Sequence, residues 1–297
     1  MNRRDLLSAL PVVVAGLNLP FGGSPAAANA KGVPRLRTAI CAYSFREALK
    51  NKTMSYEDLV RLAVAHDVDG LDLTVYWFPD TSNSFLLPLK RLAYKMAVEI
   101  YSISIRTDLC RPTPELQAKE VAEIRKWVDV AERLGACHIR VFGGEAPKDA
   151  TEDQAAGWVV EGLKRAGDYS ASKGIILGLE NHGGITSQAK RIVDIVKRVD
   201  SPWVGINLDT GNFHVADPYA EIAACVPYAV NTQFKSEIEG PDGRSKPSDW
   251  DRLVSMLAKG GYNGYLALEY EAAENPKAAV PRLMTQLRRL ATKYSAG

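Results

Sequence analysis

The chain predicts an α/β protein: a (β/α)8 barrel forming a single domain. Three observations carry that expectation. Eight short runs rich in Val, Ile and Leu alternate with amphipathic stretches from about Lys31 onward. Runs without polar alternation are strands buried on both faces, as in a parallel sheet. The part beyond the first thirty residues, about 267 of the 297, is the usual size of such a barrel. In its second half, four successive runs end at or near an oxygen-bearing side chain. That is how strand ends build an active-site mouth in this architecture.

Taken in order, the strands are expected at Thr38–Tyr43, Gly70–Val75, Glu99–Ile105, His138–Phe142, Ile175–Leu179, Val204–Leu208, Ala229–Phe234 and Gly264–Leu268. Between them, Ser55–His66 opens with a serine cap and acids in its first turn, which satisfy free N–H groups and the helix dipole. Pro114–Leu134 starts on proline and stops at Gly135, and Asp153–Lys173 stops at Gly174. Gln188–Val199, Trp250–Lys259 and Lys277–Lys293 complete the expected helices. An open doubly wound sheet is the competing fold, and the lack of a Gly-x-Gly-x-x-Gly after the first strand argues against it. The Gly-, Pro- and charge-rich stretch Glu237–Ser248 is the expected substrate-covering loop.

Residues 1–30 are expected to be a cleaved export signal, and 31–297 the barrel. Arg3-Arg4 followed by Leu6-Leu7, an apolar run from Leu10 to Leu19, and Ala28-Asn29-Ala30 are the three parts of such a signal. The arginine pair resembles a twin-arginine signal, with Asn2 for the usual Ser or Thr and Leu6 for the usual Phe. This implies a periplasmic or otherwise extracytoplasmic protein without a stable membrane anchor after cleavage. The net charge of +2 gives no reason to expect a nucleic acid as partner. A homo-oligomer is possible. Four scattered cysteines make no zinc cage and are expected as buried thiols.

The strand-end residues are Glu180, Asp209, Gln233 and Glu269. Three crowded carboxylates repel one another unless a cation lies between them, so their pattern predicts a divalent ion. Around them, the expected substrate-binding residues are His182, Lys235, Arg140, Tyr43, Asp72 and Trp77. His182 follows Glu180 by two and belongs at the mouth. Lys235 shares a strand face with Gln233 and is placed either to steady an anionic oxygen or to pair with Glu237 or Glu271. Arg140 alternates with His138 and Phe142 and is placed to pair with Glu180 or Asp72. Tyr43, Phe45, Tyr76 and Trp77 end early strands, where aromatic faces suit a sugar as well as they suit packing. Trp127 and Trp158 lie within helices and are expected in the core.

Leu-Glu-Asn-His at 179–182, Leu-Asp-Thr-Gly-Asn at 208–212, Gln-Phe-Lys at 233–235 and Leu-Glu-Tyr at 268–270 resemble the metal-site segments of the xylose-isomerase-like TIM barrels. Val-Asp-Gly-Leu-Asp-Leu-Thr at 68–74 and Ile-Arg-Val-Phe-Gly-Gly at 139–144 are similar to that family's second and fourth strands. The resemblance implies a metal held by Glu180, Asp209, Gln233 and Glu269, with Gln233 where the family has histidine. An all-oxygen set favours Mn2+ or Mg2+, with Zn2+ or Co2+ as alternatives. It also implies Glu180 and Glu269 as the catalytic pair, exchanging a proton on opposite faces of a ketose through a metal-stabilised enediolate. Asn212 stands near a position where some ketose epimerases contact substrate with histidine, and His214 is an alternative for that role.

The expected function is therefore a metal-dependent sugar isomerase or epimerase acting on a ketose or related keto-sugar. A lyase or hydratase on a keto-sugar or 3-keto-glycoside would use the same enolisation. A barrel that binds sugar without chemistry is a further alternative, for which the Gln233 substitution speaks. A DNA repair nuclease of the endonuclease IV type needs several zinc-binding histidines, and this chain has four His in all.

Overall fold

The computed structural model describes residues 33–295. The expected export signal at 1–30 lies outside the described residues. Ten strands follow in chain order: β1 (Leu36–Cys41), β2 (Gly70–Thr74), β3 (Glu99–Ser104), β4 (His138–Phe142), β5 (Ile176–Glu180), β6 (Val204–Asp209), β7 (Ala229–Phe234), β8 (Glu237–Glu239), β9 (Ser245–Pro247) and β10 (Gly264–Leu268). Eight of them, all but β8 and β9, close a parallel barrel in which β1 pairs with both β2 and β10. Every expected strand is present within two residues of its expected ends. The sequence signal was strong because these strands are buried on both faces and read as unbroken apolar runs.

Helices fill the connections. Ser55 and Asp58 form a reciprocal cap at Tyr56–Ala65, and Thr151 and Gln154 do the same at Glu152–Ser172. Thr113 caps Pro114–Leu134. Three helices were not expected, the first being the five-residue Arg46–Lys50. Asn83–Lys95 carries Pro88 in its interior, which reads locally as a break, yet Leu86, Leu89 and Ala93 are buried and hold it to the barrel. Pro218–Cys225 is only eight residues long, too short for a clear period. Buried leucine, isoleucine and valine side chains form a continuous core that takes in both the barrel and its helices. Each fully buried aliphatic side chain contributes about 1.5–3 kcal/mol. Trp127 and Trp158 pack against this core and are partly buried.

The stretch expected as a loop at Glu237–Ser248 folds differently. Its ends pair as an antiparallel ribbon, β8 with β9, in register Glu237↔Pro247 and Glu239↔Ser245. Among the described residues no helix is long and apolar enough to cross a membrane. Cys41, Cys110 and Cys225 are buried free thiols, as expected, whereas Cys137 is an exposed one.

Candidate functional site

Strand ends place the chemistry. Glu180 and Asp209 are the last residues of β5 and β6, Gln233 is the last but one of β7, and Glu269 directly follows β10. The register sets Glu180 beside Asn207 and Asp209 beside Gln233. All four side chains are buried. At the mouth lies a cavity of about 200 Å3 lined by Glu180, Glu269, Lys235, Arg140, Tyr43, Tyr76, Arg106, Phe142, His182, Asn212 and Glu271. A second cavity of about 260 Å3 opens outward beside the β8–β9 ribbon, with His214, Glu239 and Ser245 in its wall. The two share Asn212, Lys235 and Glu271.

Two cations sit among the carboxylates. Arg140 Nε lies 2.9 Å from Glu180 Oε2, and its Nη1 donates to the Ile105 carbonyl and to the Tyr76 hydroxyl. Asn207 and Asn212 also donate to Glu180, at 3.2 and 3.3 Å. Lys235 Nζ lies 3.2 Å from Glu269 Oε2 and 3.4 Å from Asp209 Oδ2, and it contacts Glu271. Asp209 Oδ1 accepts from the Gly211 N–H at 2.7 Å, while its Oδ2 has no hydrogen-bond donor.

These charges shift one another. Burial pushes the Asp209 carboxyl up to about 7, against the pull of Lys235. Burial likewise drives Glu180 well above the usual carboxylate range, opposed by Arg140 and reinforced by Glu269 and Asp209. Burial alone would lower Lys235, but Asp209, Glu269 and Glu271 together hold its ammonium firmly protonated. Four carboxylates (Glu180, Asp209, Glu269, Glu271) thus share two cations within contact, Lys235 and Arg140, and Asp72 lies buried below them. At neutral pH such a site retains protons, a useful property for acid–base work.

The expected residues do not all meet at the cavity. Glu180, Glu269, Lys235, Arg140, His182, Asn212 and Tyr43 line it. His182 is exposed at the rim with its ring 4.1 Å from that of Phe142. His214 stands further out, exposed, 3.8 Å from Glu239. Trp77 backs the mouth by stacking on Tyr43 at 5.9 Å and is not in the lining. Phe45 is core. Asp72 is fully buried below the mouth, where it accepts from Ser104 at 2.9 and 3.0 Å.

Gln233 is engaged on both sides of its amide. Its Nε2 donates to Asp72 Oδ2 at 3.1 Å, and its Oε1 accepts from Asn207 Nδ2 at 2.9 Å. Asn231 in turn donates to Asn207 at 2.8 Å, and Tyr101 donates to Asn231 at 3.2 Å. This polar chain runs through the barrel interior and fixes Gln233 within it. The place between Asp209 and Glu269 is taken by Lys235. The expected four ligands are therefore not open to an ion in this arrangement, and among the described residues no group of three or more His, Cys, Asp and Glu side chains is gathered to hold one. Arg106 and Asn207 were not singled out from sequence. Arg106 lies just past β3 without a motif, and Asn207 is two residues before Asp209 on the same strand face, an alternation that offered a signal.

A closed parallel barrel with an acidic, cation-lined cavity at the carboxyl ends of its strands has the layout of an enzyme active site. The chain belongs to the xylose isomerase-like TIM barrel family, whose model matches residues 60–290. Among solved structures it is similar to D-psicose 3-epimerase with D-tagatose from Clostridium cellulolyticum H10 (16% identity, TM-score 0.69, covering 87% of this chain and 98% of that one). It is also similar to 3-keto-D-glucoside 4-epimerase YcjR from E. coli in its apo form (14%, 0.68, 86% and 99%). A third is the IolI protein with a bound zinc atom (15%, 0.69, 88% and 100%). Identities this low establish the shared fold alone. Among curated proteins, none matches this chain in sequence.

Proposed function

We propose that the protein is a sugar isomerase or epimerase that moves a proton at a carbon next to a ketose carbonyl, with Glu269 and Glu180 as the exchanging pair. The observation that carries this reading is that both carboxylates line one cavity of about 200 Å3, each against its own cation. The Glu269 carboxylate accepts the proton from carbon. The C–H electron pair becomes a carbon–carbon π bond, and the carbonyl π pair moves onto oxygen, giving an enediolate. The Lys235 ammonium, which lines the same cavity, meets that negative oxygen. Glu180, whose carboxyl burial favours in the protonated form, returns a proton to the other face of the same carbon, or to its neighbour while the hydroxyl proton of the reacting carbon passes to the former carbonyl oxygen. No oxidant or reductant is consumed. Similarity to a psicose epimerase and a ketoglucoside epimerase supports a sugar substrate. The export signal expected at 1–30 supports unphosphorylated sugars met outside the cytoplasm.

The outer cavity favours a second reading. It continues from the inner one through Asn212, Lys235 and Glu271, which leaves room for a group attached to the reacting sugar. A 3-keto-glycoside held across both would lose its aglycone after the same first proton transfer, by elimination. Incubation with a panel of ketohexoses and of 3-keto-glycosides, followed by chromatography, separates the two readings. An epimer or aldose product supports the first, and a free aglycone supports the second. Neither product from any member of either panel, with folded protein, would refute both.

A further inference from the structure

We propose that Lys235 is the resident cation of the barrel mouth: it stands where a divalent ion would sit between Asp209 and Glu269, and the described residues form no high-affinity divalent-metal site. Three observations carry this. The first is its place, 3.2 Å from Glu269 Oε2 and 3.4 Å from Asp209 Oδ2 and in contact with Glu271. The ammonium fills the electrostatic well that the carboxylates create, and an ion entering there must first expel it. The second is that the position is built. The Lys235 N–H donates to Thr210 Oγ1 at 3.0 Å, and the Trp250 indole donates to the Lys235 carbonyl at 2.8 Å. The lysine stem crosses Gly211 so closely that a Cβ there would lie 2.5 Å from its Cγ. Glycine at 211 is what leaves the stem its path. The third is Gln233, whose amide is committed to Asp72 and Asn207 and stays within the interior chain.

An ammonium does part of what an ion does. It neutralises the acids and donates N–H to a developing oxyanion. It does not chelate two oxygens at metal-bond distance, so a substrate is gripped through one oxygen at Lys235 and otherwise by the side chains around it. That consequence rests on the proton-transfer reading. The cation assignment does not, because Mn2+ alone is its probe.

The experiment is a Mn2+ titration of EDTA-treated full-length protein, followed by electron paramagnetic resonance of free Mn2+ and by melting temperature. Three proteins are compared: the wild type, Lys235→Met and Gln233→His. Wild type is expected to leave the Mn2+ signal and its own melting temperature unchanged. Lys235→Met, with its carboxylates stripped of their cation, is expected to bind Mn2+ at least about tenfold more tightly than wild type and to regain melting temperature with it. Gln233→His is expected to stay like wild type, since the lysine remains. Stoichiometric Mn2+ uptake by wild type, or tight uptake by Gln233→His, would overturn the proposal. So would a folded Lys235→Met no better at binding than wild type. If Lys235→Met does not fold, the wild-type and Gln233→His titrations decide alone.

Discussion

Arg140 and Glu180 form an ion pair inside the barrel mouth, Nε to Oε2 at 2.9 Å, with each side chain only 3% exposed. The pair links β4 to β5, and two further N–H bonds tie the guanidinium to Ile105 and Tyr76. Removing one member leaves the other buried without its partner. Arg140→Met is therefore expected to lower unfolding free energy by roughly 3–5 kcal/mol. The double variant Arg140→Met with Glu180→Gln is expected to recover part of that loss. Urea unfolding of the four proteins of this cycle checks it, and purely additive losses would contradict the pairing.

Glu269 is expected to matter more to turnover than to folding. Glu269→Gln keeps the shape of the side chain and removes the base. On the substrate found by panel screening, it is expected to reduce kcat by about 10²–10⁴-fold. Its melting temperature is expected to stay close to that of wild type. Retained activity in a folded Glu269→Gln would remove it from the mechanism.

His138 gives the fold an acid limb. Its ring is buried, with Nδ1 2.8 Å from Ser102 Oγ and Nε2 without a partner. Burial, and the charge of Arg140, lower its titration to about 3. The unfolded chain takes up the proton near 6.5, whereas the native state refuses it down to about 3, so stability falls as pH drops through that window. Relative to His138→Gln, wild type is expected to lose about 3 kcal/mol between pH 7 and pH 4. Parallel stability profiles from pH 7 to pH 4 would show that the histidine carries no such linkage.

Gly178 is held glycine by the same histidine. A Cβ there would come within 2.3 Å of His138 Nε2 and 3.0 Å of Asn207 Cβ. Gly178→Ala is expected to cost about 1–3 kcal/mol through overpacking. Adding His138→Ala should relieve it, and denaturant midpoints report both effects.

The barrel was legible in sequence because its strands, buried on both faces, stand out as apolar runs without needing context. Helix Asn83–Lys95 was hidden by Pro88, and the β8–β9 ribbon by glycines and charges that read as a loop. In the site, the positions of Glu180, Asp209 and Glu269 were readable from strand ends. What each side chain meets was not. Gln233 turns from the mouth because Asp72 and Asn207 satisfy both sides of its amide, and these partners come from other strands. Lys235 offered either an anionic oxygen or a salt bridge as its partner, and it bridges Asp209 at the end of β6 to Glu269 and Glu271 after β10. Such pairings depend on closure of the barrel, which no local pattern encodes.

Proton exchange next to a carbonyl is read directly by hydrogen exchange in D2O. Ketohexoses and 3-keto-glycosides would be incubated with wild type and with Glu269→Gln and followed by proton NMR. The expected result is loss of the signal from a C–H adjacent to the carbonyl of one sugar class with wild type, and its persistence with the variant. Persistence of every such signal with folded wild-type protein would contradict the account.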